Sequence, residues 1–373
     1  MQRTDIYKKS LRHFLKPIVP LLEENSVSEI MAIGHDTIYY EEAGKIRRSE
    51  ARFSDEAAMM AAVRNIAEFV NRRIDAENHS MDARLPTGER VHVIIPPASR
   101  LGPCLTIRKF QQKDMSFDDL VTQGSLSPAA AAFVDLAVKL HKNIIISGGT
   151  GTGKTTILNA FSAAIPEEER IVVIEDSSEL ALQQKHTVYL EAQAANKHGQ
   201  GGVTIRDLFV DSLRMRPDRI IVGEVRRGEA LDLVQSMLSG HSGSLTTVHA
   251  NSPRDAGTRL ETLCLLSDAD LPVKVARGQV SAAIDLVVQL ARLSDGSRRV
   301  AAISECRGLD ADEQYAWNPL FRFQADPGRQ GERIVGRLQA TGSEADLYED
   351  AAAYGLSEQA ARVREAIVTE VGV

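Results

Sequence analysis

The sequence predicts an α/β protein of two domains, the second built on a largely parallel sheet. Three observations carry that expectation. The chain has 373 residues, more than one hydrophobic core ordinarily organises. In its second half, runs such as Ile144-Ile145-Ile146 and Ile220-Ile221-Val222 are apolar without alternation, which requires burial on both faces. These runs also take turns with helical segments, the pattern of strands joined by crossover helices.

Taken in order, residues 1–110 read as a mixed α/β domain. Tyr7, Leu11, Phe14, Leu15 and Ile18 fall at helical spacing, with Lys8, Lys9, Arg12 and Lys16 on the other faces. Pro17 and Pro20 disturb that helix. Strand-like runs follow at Glu29–Ile33, Thr37–Tyr40 and Lys45–Phe53. A helix is expected from a cap at Ser54 to about Arg73. A hairpin is expected from Ala83–Pro86 through Thr87-Gly88 to Arg90–Ile95, and a closing strand at Leu105–Phe110.

Residues 111–125 are polar and read as a linker. The second domain, 126–308, opens on Ser127 as cap and Pro128 in the first helical position. Its strands are expected at Asn143–Ser147, Arg170–Glu175, Thr187–Leu190, Arg219–Glu224, Ser244–His249 and Asp285–Gln289. Residues 309–373 read as a small appendage that carries Trp317, Phe321 and Phe323 at strand-like spacing and ends in a charged helix near Ser357–Glu370.

Composition narrows the function. Lys+Arg 44 against Asp+Glu 51 leaves a net charge of −7, which argues against a protein that coats nucleic acid. Aromatic residues make up 5% of the chain, too few for a base-stacking platform. Cys104, Cys264 and Cys306 are far apart and show no metal-ligand spacing. The start lacks the apolar core of a secretory signal, and no run is long enough to span a membrane, so a cytoplasmic protein is expected.

The decisive segment is Gly148-Gly149-Thr150-Gly151-Thr152-Gly153-Lys154-Thr155, followed by Thr156. It satisfies GxxxxGK[ST] between a buried strand and a helix, the context that makes the motif a phosphate cradle. Glycines let amides converge on phosphate oxygens, and the helix dipole points to the same place. Lys154 would neutralise β- and γ-phosphates, and the Thr155 hydroxyl would take a Mg²⁺ position.

Hydrolysis also needs a group that orients water. Glu224, delivered by the strand Ile220–Val222, is the candidate for activating it. Glu175 or Asp176, at the end of another strand, is the candidate for holding a metal-bound water, with Glu179 close behind; Glu175 joins Thr155 as the metal pair. A helix-start role for Asp176 is the competing reading. His241 and His249 bracket a strand expected in the same sheet, which suits donors that feel the γ-phosphate.

In this order and spacing the segments resemble the Walker A, Asp box, Walker B and His box of the type II/IV secretion ATPase superfamily. The phrases Leu105–Phe110, Ser147–Thr156, Val172–Leu180, Leu213–Arg226 and Gly240–Glu261 resemble its CpaF/Tad branch, which powers assembly of Flp (tight-adherence) type IV pili. The resemblance implies a PAS-like, sensor-like N-terminal domain before a RecA-like P-loop ATPase domain. It implies a Mg²⁺-dependent ATPase acting as a homo-hexamer at the cytoplasmic face of a bacterial inner membrane, with membrane-platform proteins as partners and no direct nucleic-acid contact. It also implies that N-terminal arginines reach the nucleotide: Arg84, Arg90, Arg100 and Arg108 correspond, Arg90 and Arg108 foremost. Arg214 and Arg216 would line a subunit interface.

One departure is Gly223, where many P-loop enzymes carry a metal-binding Asp. The alternative machine is a conjugation or type IV secretion apparatus. A RecA-like nucleic-acid motor and a nucleotide-gated scaffold without turnover are the other classes weighed.

Overall fold

Alternation of buried and exposed residues builds one sheet of this protein, and its absence builds the other. The computed structural model describes residues 2–42, 44–109, 115–196, 198–330 and 333–371. Phe110 and residues 111–114 of the expected linker lie outside the described residues. The chain divides into two units, Met1–Gln112 with Gln193–Gly202, and Lys113–Ala192 with Val203–Val373.

In the first unit, α1 (Gln2–Phe14), a 3₁₀ turn at Lys16–Ile18 and α2 (Val19–Glu23) lead into β1 (Val27–Ile33), β2 (Thr37–Glu42) and β3 (Lys45–Ser49). Helix α3 (Glu56–Phe69) precedes β4 (Ser80–Arg84), β5 (Arg90–Ile94) and β6 (Cys104–Arg108). The strand order is β3-β2-β1-β6-β5-β4, antiparallel throughout. Alternate residues (Ile30, Ala32, Val91, Val93, Leu105, Ile107) turn inward onto Met59, Val63 and Ile66 of α3, forming one core. Leu11 and Leu15 of α1 enter the same core, while Lys8, Lys9, Arg12 and Lys16 stay exposed. Helix α3 is capped by Asp55 rather than by the expected Ser54: the Ala58 amide donates to the Asp55 carboxylate at 2.7 Å.

The second unit begins with α4 (Phe117–Thr122), α5 (Pro128–Lys139), β7 (Ile144–Gly148), α6 (Lys154–Ser162), β8 (Ile171–Glu175) and β9 (Thr187–Glu191). It continues with α7 (Ile205–Ser212), β10 (Arg219–Val222), α8 (Glu229–Leu238), β11 (Leu245–Val248), α9 (Pro253–Leu265) and α10 (Val273–Ala283). Strands β12 (Leu286–Arg292), β13 (Arg298–Leu309), β14 (Tyr315–Gln330) and β15 (Arg333–Ala340), a 3₁₀ helix at Asp346–Ala352 and α11 (Ser357–Val371) complete it. The order across the nine-stranded sheet is β15-β14-β13-β12-β7-β11-β10-β8-β9. From β12 to β9 every pairing is parallel, and from β12 to β15 every pairing is antiparallel. Ile144 and Ile146 fill the core on one face and Ile145 the core on the other, which is why β7 shows no alternation.

Two expectations are corrected. Phe117–Thr122 is helical: a reciprocal capping box at Ser116 and Asp119 starts α4, and Leu120 is buried in the second unit's core. The tail after 308 is no appendage either, because β13 to β15 extend the sheet and bring Phe321 and Leu338 into the core of Ile144. A register shift between β13 and β14 breaks the side-chain alternation there. Trp317 therefore packs with the opposite core from Phe321.

The edge of the sheet where the parallel strands begin is pinned by a buried ion pair. Arg219, fully buried, donates from Nη2 to Glu169 Oε1 at 3.2 Å and from Nη1 to the Gly243 carbonyl at 3.3 Å. His141 Nε2 lies 3.2 Å from the same carboxylate. Burial opposes ionisation of Glu169, but His141 and Arg219 outweigh it and hold the carboxyl down at about 2. Its folded pKa is depressed, so this contribution to stability is present above about 4.5 and is lost as pH falls towards 2. Arg219→Met would strand the Glu169 charge, and chemical denaturation at neutral pH should show a loss of about 3 kcal/mol.

Candidate active site

Four parallel strands end along one edge of the second sheet, and each delivers a polar residue to it. Strand β7 ends at Gly148, and residues 149–153 turn into α6. Gly151 and Gly153 adopt φ of 70° and 94°, the left-handed region that glycine enters without strain. A Cβ at Gly148 would sit 2.5 Å from Thr152 Oγ1, so the turn closes only around a glycine. Thr152 Oγ1 donates to the Gly149 carbonyl at 2.9 Å and holds the loop in shape. Helix α6 starts on Gly153 with no side-chain cap, leaving its first-turn amides for an anion. These features fit a phosphate chain.

Lys154 is buried, and its Nζ donates to the carbonyls of Gly148 and Gly149 at 3.2 and 3.1 Å and to His249 Nδ1 at 3.3 Å. An ammonium only donates, so His249 Nδ1 must accept, which leaves the imidazole proton on Nε2. That nitrogen lies 2.6 Å from Glu224 Oε1. Burial and then the Lys154 charge push the His249 pKa below its ordinary value, against the pull of Glu224, and this favours the neutral ring. Glu224 Oε2 accepts from Arg226 Nε at 2.7 Å, and Arg226 Nη1 donates to Asp176 Oδ2 at 2.6 Å. The result is a continuous polar chain, Lys154–His249–Glu224–Arg226–Asp176. It runs at right angles to the strands because β7, β11, β10 and β8 are neighbours in that order.

The structure corrects the assignment of the acids after β8. Glu175 is 4% exposed, and its Oε1 accepts from the amides of Glu179 and Leu180 at 2.8 and 2.9 Å. It braces the loop that follows β8. The acid that meets Thr155 is Glu179, whose Oε2 accepts from Thr155 Oγ1 at 3.2 Å. A hydroxyl beside a carboxylate at the mouth of the phosphate loop is a fitting donor pair for Mg²⁺ and its waters, so Thr155 and Glu179 replace Thr155 and Glu175 as the metal candidates. Where a side chain would stand on Gly223, an added Cβ would meet Glu175 Cγ at 3.0 Å.

Burial raises the Glu175 pKa to about 7, with Glu179 and Glu191 adding to burial and the two amides opposing it. A carboxyl whose folded pKa is raised stabilises the fold fully below about 4.5 and loses that contribution as pH rises through 7. Glu175→Gln keeps an oxygen for both amides and cannot ionise. Thermal unfolding between pH 5 and 8 should show the variant losing less stability with rising pH than the wild type.

The other candidates are placed less uniformly. His249 stands just past the end of β11 in the polar chain, but His241 precedes β11 and so lies at the opposite edge of the sheet. A strand that carries one histidine to the phosphate loop necessarily carries the other away from it, and His241 is not part of this site within one chain. Arg214 and Arg216, both exposed, also lie at that far edge, before β10. In the first unit, Arg84, Arg90 and Arg108 are register partners on β4, β5 and β6. They form one row on the face opposite the buried Val91 and Ile107. Arg84 Nε donates to the Gly88 carbonyl at 2.9 Å, and Arg90 lies 3.9 Å from Asp82. Arg100 is exposed on the turn between β5 and β6.

Sequence reasoning missed Arg226 and Arg298. Arg226 follows Glu224 by two residues, a spacing that could have flagged it as a partner. Arg298 begins β13, with its Cδ 3.8 Å from where a Gly153 Cβ would be, and only the sheet order brings it there. Among the described residues, no group of three or more His, Cys, Asp or Glu side chains is arranged to hold a metal, and no helix is long and apolar enough to cross a membrane.

Comparison with known proteins adds the following. The type II/IV secretion system protein family matches residues 13–368. A Mycobacterium tuberculosis protein named for conjugal transfer is 37% identical over 302 residues, covering 79% of this chain and 85% of that protein. The type IV secretion system protein VirB11 of Bartonella quintana is 32% identical over 329 residues, covering 78% of this chain and 91% of its own. Among solved structures, the Legionella pneumophila ATPase DotB aligns over 96% of this chain and 88% of its own, with a TM-score of 0.55 and 14% identity, a likeness of fold.

Proposed function

Since this chain belongs to the type II/IV secretion system protein family, a family of secretion NTPases, we propose that it is a Mg²⁺-dependent ATPase that drives a conjugation or type IV secretion apparatus. The observation that carries the reading is the chain from Lys154 through His249 to Glu224, at the edge where the phosphate loop turns into α6. The loop amides and Lys154 bind the triphosphate. Thr155 and Glu179 would hold a Mg²⁺ shell, which would supply neutralisation of phosphate charge when bound. Glu224 orients the attacking water. His249 bridges Lys154 and Glu224, so a γ-phosphate that draws Lys154 towards itself frees His249 Nδ1. Loss of that phosphate is thereby felt at Glu224.

In the working assembly, taken to be a homo-hexamer, the row of Arg84, Arg90 and Arg108 supplies positive charge to a nucleotide, and the ring works at the cytoplasmic face of the inner membrane through platform proteins. The printed names of relatives, conjugal transfer and VirB11, favour a transfer or secretion machine. The phrases Leu213–Arg226 and Gly240–Glu261 favour Flp pilus assembly as the second reading.

Purified protein should release phosphate from ATP only with Mg²⁺. No release, even with lipid or membrane partners supplied, would refute the enzyme. Deleting the gene separates the machines: loss of conjugal or protein transfer with surface pili intact supports the first reading, and loss of pili the second.

A further inference from the structure

Arg226 holds one oxygen of Glu224 and the other is buried away from solvent, and that is a poor posture for a base. Glu224 Oε1 faces His249 Nε2 at 2.6 Å, and its Oε2 accepts from both Nε and Nη2 of Arg226. With the side chain only 14% exposed, little of the carboxylate is left to meet a water. A general base must present an oxygen within hydrogen-bond reach of the proton it takes.

Arg226 is built to move between partners. Its backbone is fixed, because the amides of Arg226 and Arg227 both donate to Glu229 Oε1, at 2.8 and 2.9 Å. Its side chain is 50% exposed, and it already touches a second acid, Asp176, on the loop of another strand. A guanidinium that leaves Glu224 for Asp176 keeps a carboxylate partner throughout, so the exchange never leaves the guanidinium unpaired.

We infer that Arg226 is a positioning residue that holds Glu224 idle, and that Asp176 is the alternative seat which takes the guanidinium when Glu224 is released to act. The inference rests on the proposed ATPase reading, within which it assigns regulation of the water-orienting acid to Arg226.

The test is steady-state ATP turnover by the full chain with Mg²⁺, comparing Arg226→Gln, Asp176→Asn and the double variant. Arg226→Gln should raise kcat on the order of fivefold with KM for ATP unchanged. Asp176→Asn should lower kcat by a similar factor, because the guanidinium loses its other seat. The double variant should match Arg226→Gln, since Asp176 acts only through Arg226. Arg226→Lys, which keeps the charge but cannot grip through two nitrogens, should rise to an intermediate value and serves if Arg226→Gln does not fold. A fall in kcat for either Arg226 variant, or a double variant as slow as Asp176→Asn alone, would overturn the inference. Wild-type protein with no turnover would instead remove the ATPase reading beneath it.

Discussion

Glu224→Gln should leave ATP binding close to wild type while turnover falls about 10²-fold or more, measured as phosphate release beside nucleotide affinity by calorimetry. The amide has the size of the carboxylate and its oxygen can still accept from Arg226, so the loop after β10 has no reason to collapse. What it lacks is the charge that polarises a water. Binding is unaffected because the groups proposed to grip the phosphates, Lys154 and the amides of residues 149–154, belong to another strand and its loop. If the variant instead lost affinity and turnover together, Glu224 would be a structural member of the phosphate site.

Lys154→Ala should cut turnover to a small residual rate, about 10²-fold or more below wild type, and weaken ATP binding on the order of tenfold or more, because a charge-assisted contact to the phosphates disappears. The geometry adds a second consequence. Lys154 donates to two loop carbonyls and to His249, so its removal also leaves His249 Nδ1 without that donor. Lys154→Ala combined with Glu224→Gln should therefore be no slower than Lys154→Ala alone, whereas independent contributions would multiply.

The parallel sheet and its phosphate loop were legible because each has a local signature. Doubly buried strands are apolar at every position, as in Ile144–Ile146, and the glycines at 151 and 153 mark a turn that only they can make. Ser127 caps its helix as read, accepting from the amide of Ala130, and Ser252 likewise accepts from the amide of Asp255.

What failed were features settled by strand order or by competition within a loop. Glu175 and Glu179 are both acids beside a phosphate loop. Sequence does not reveal that the first is drawn inward by two amides while the second is left to meet Thr155. The two histidines looked like a pair because they bracket one strand, yet a strand separates its ends. The tail from 309 onward looked peripheral because bulges interrupt the alternation that would have marked β14 as half-buried.

The glycine at 223 acquires a different meaning beside Glu175. It is not a lost acid so much as ceded ground: the neighbouring strand's carboxylate stands where a side chain on 223 would have to grow. A Cβ at 223 would lie 3.0 Å from Glu175 Cγ, so the two positions compete for the same room and Glu175 would have to give way slightly. An aspartate placed at 223 would press on Glu175 and disturb the brace it gives the loop after β8.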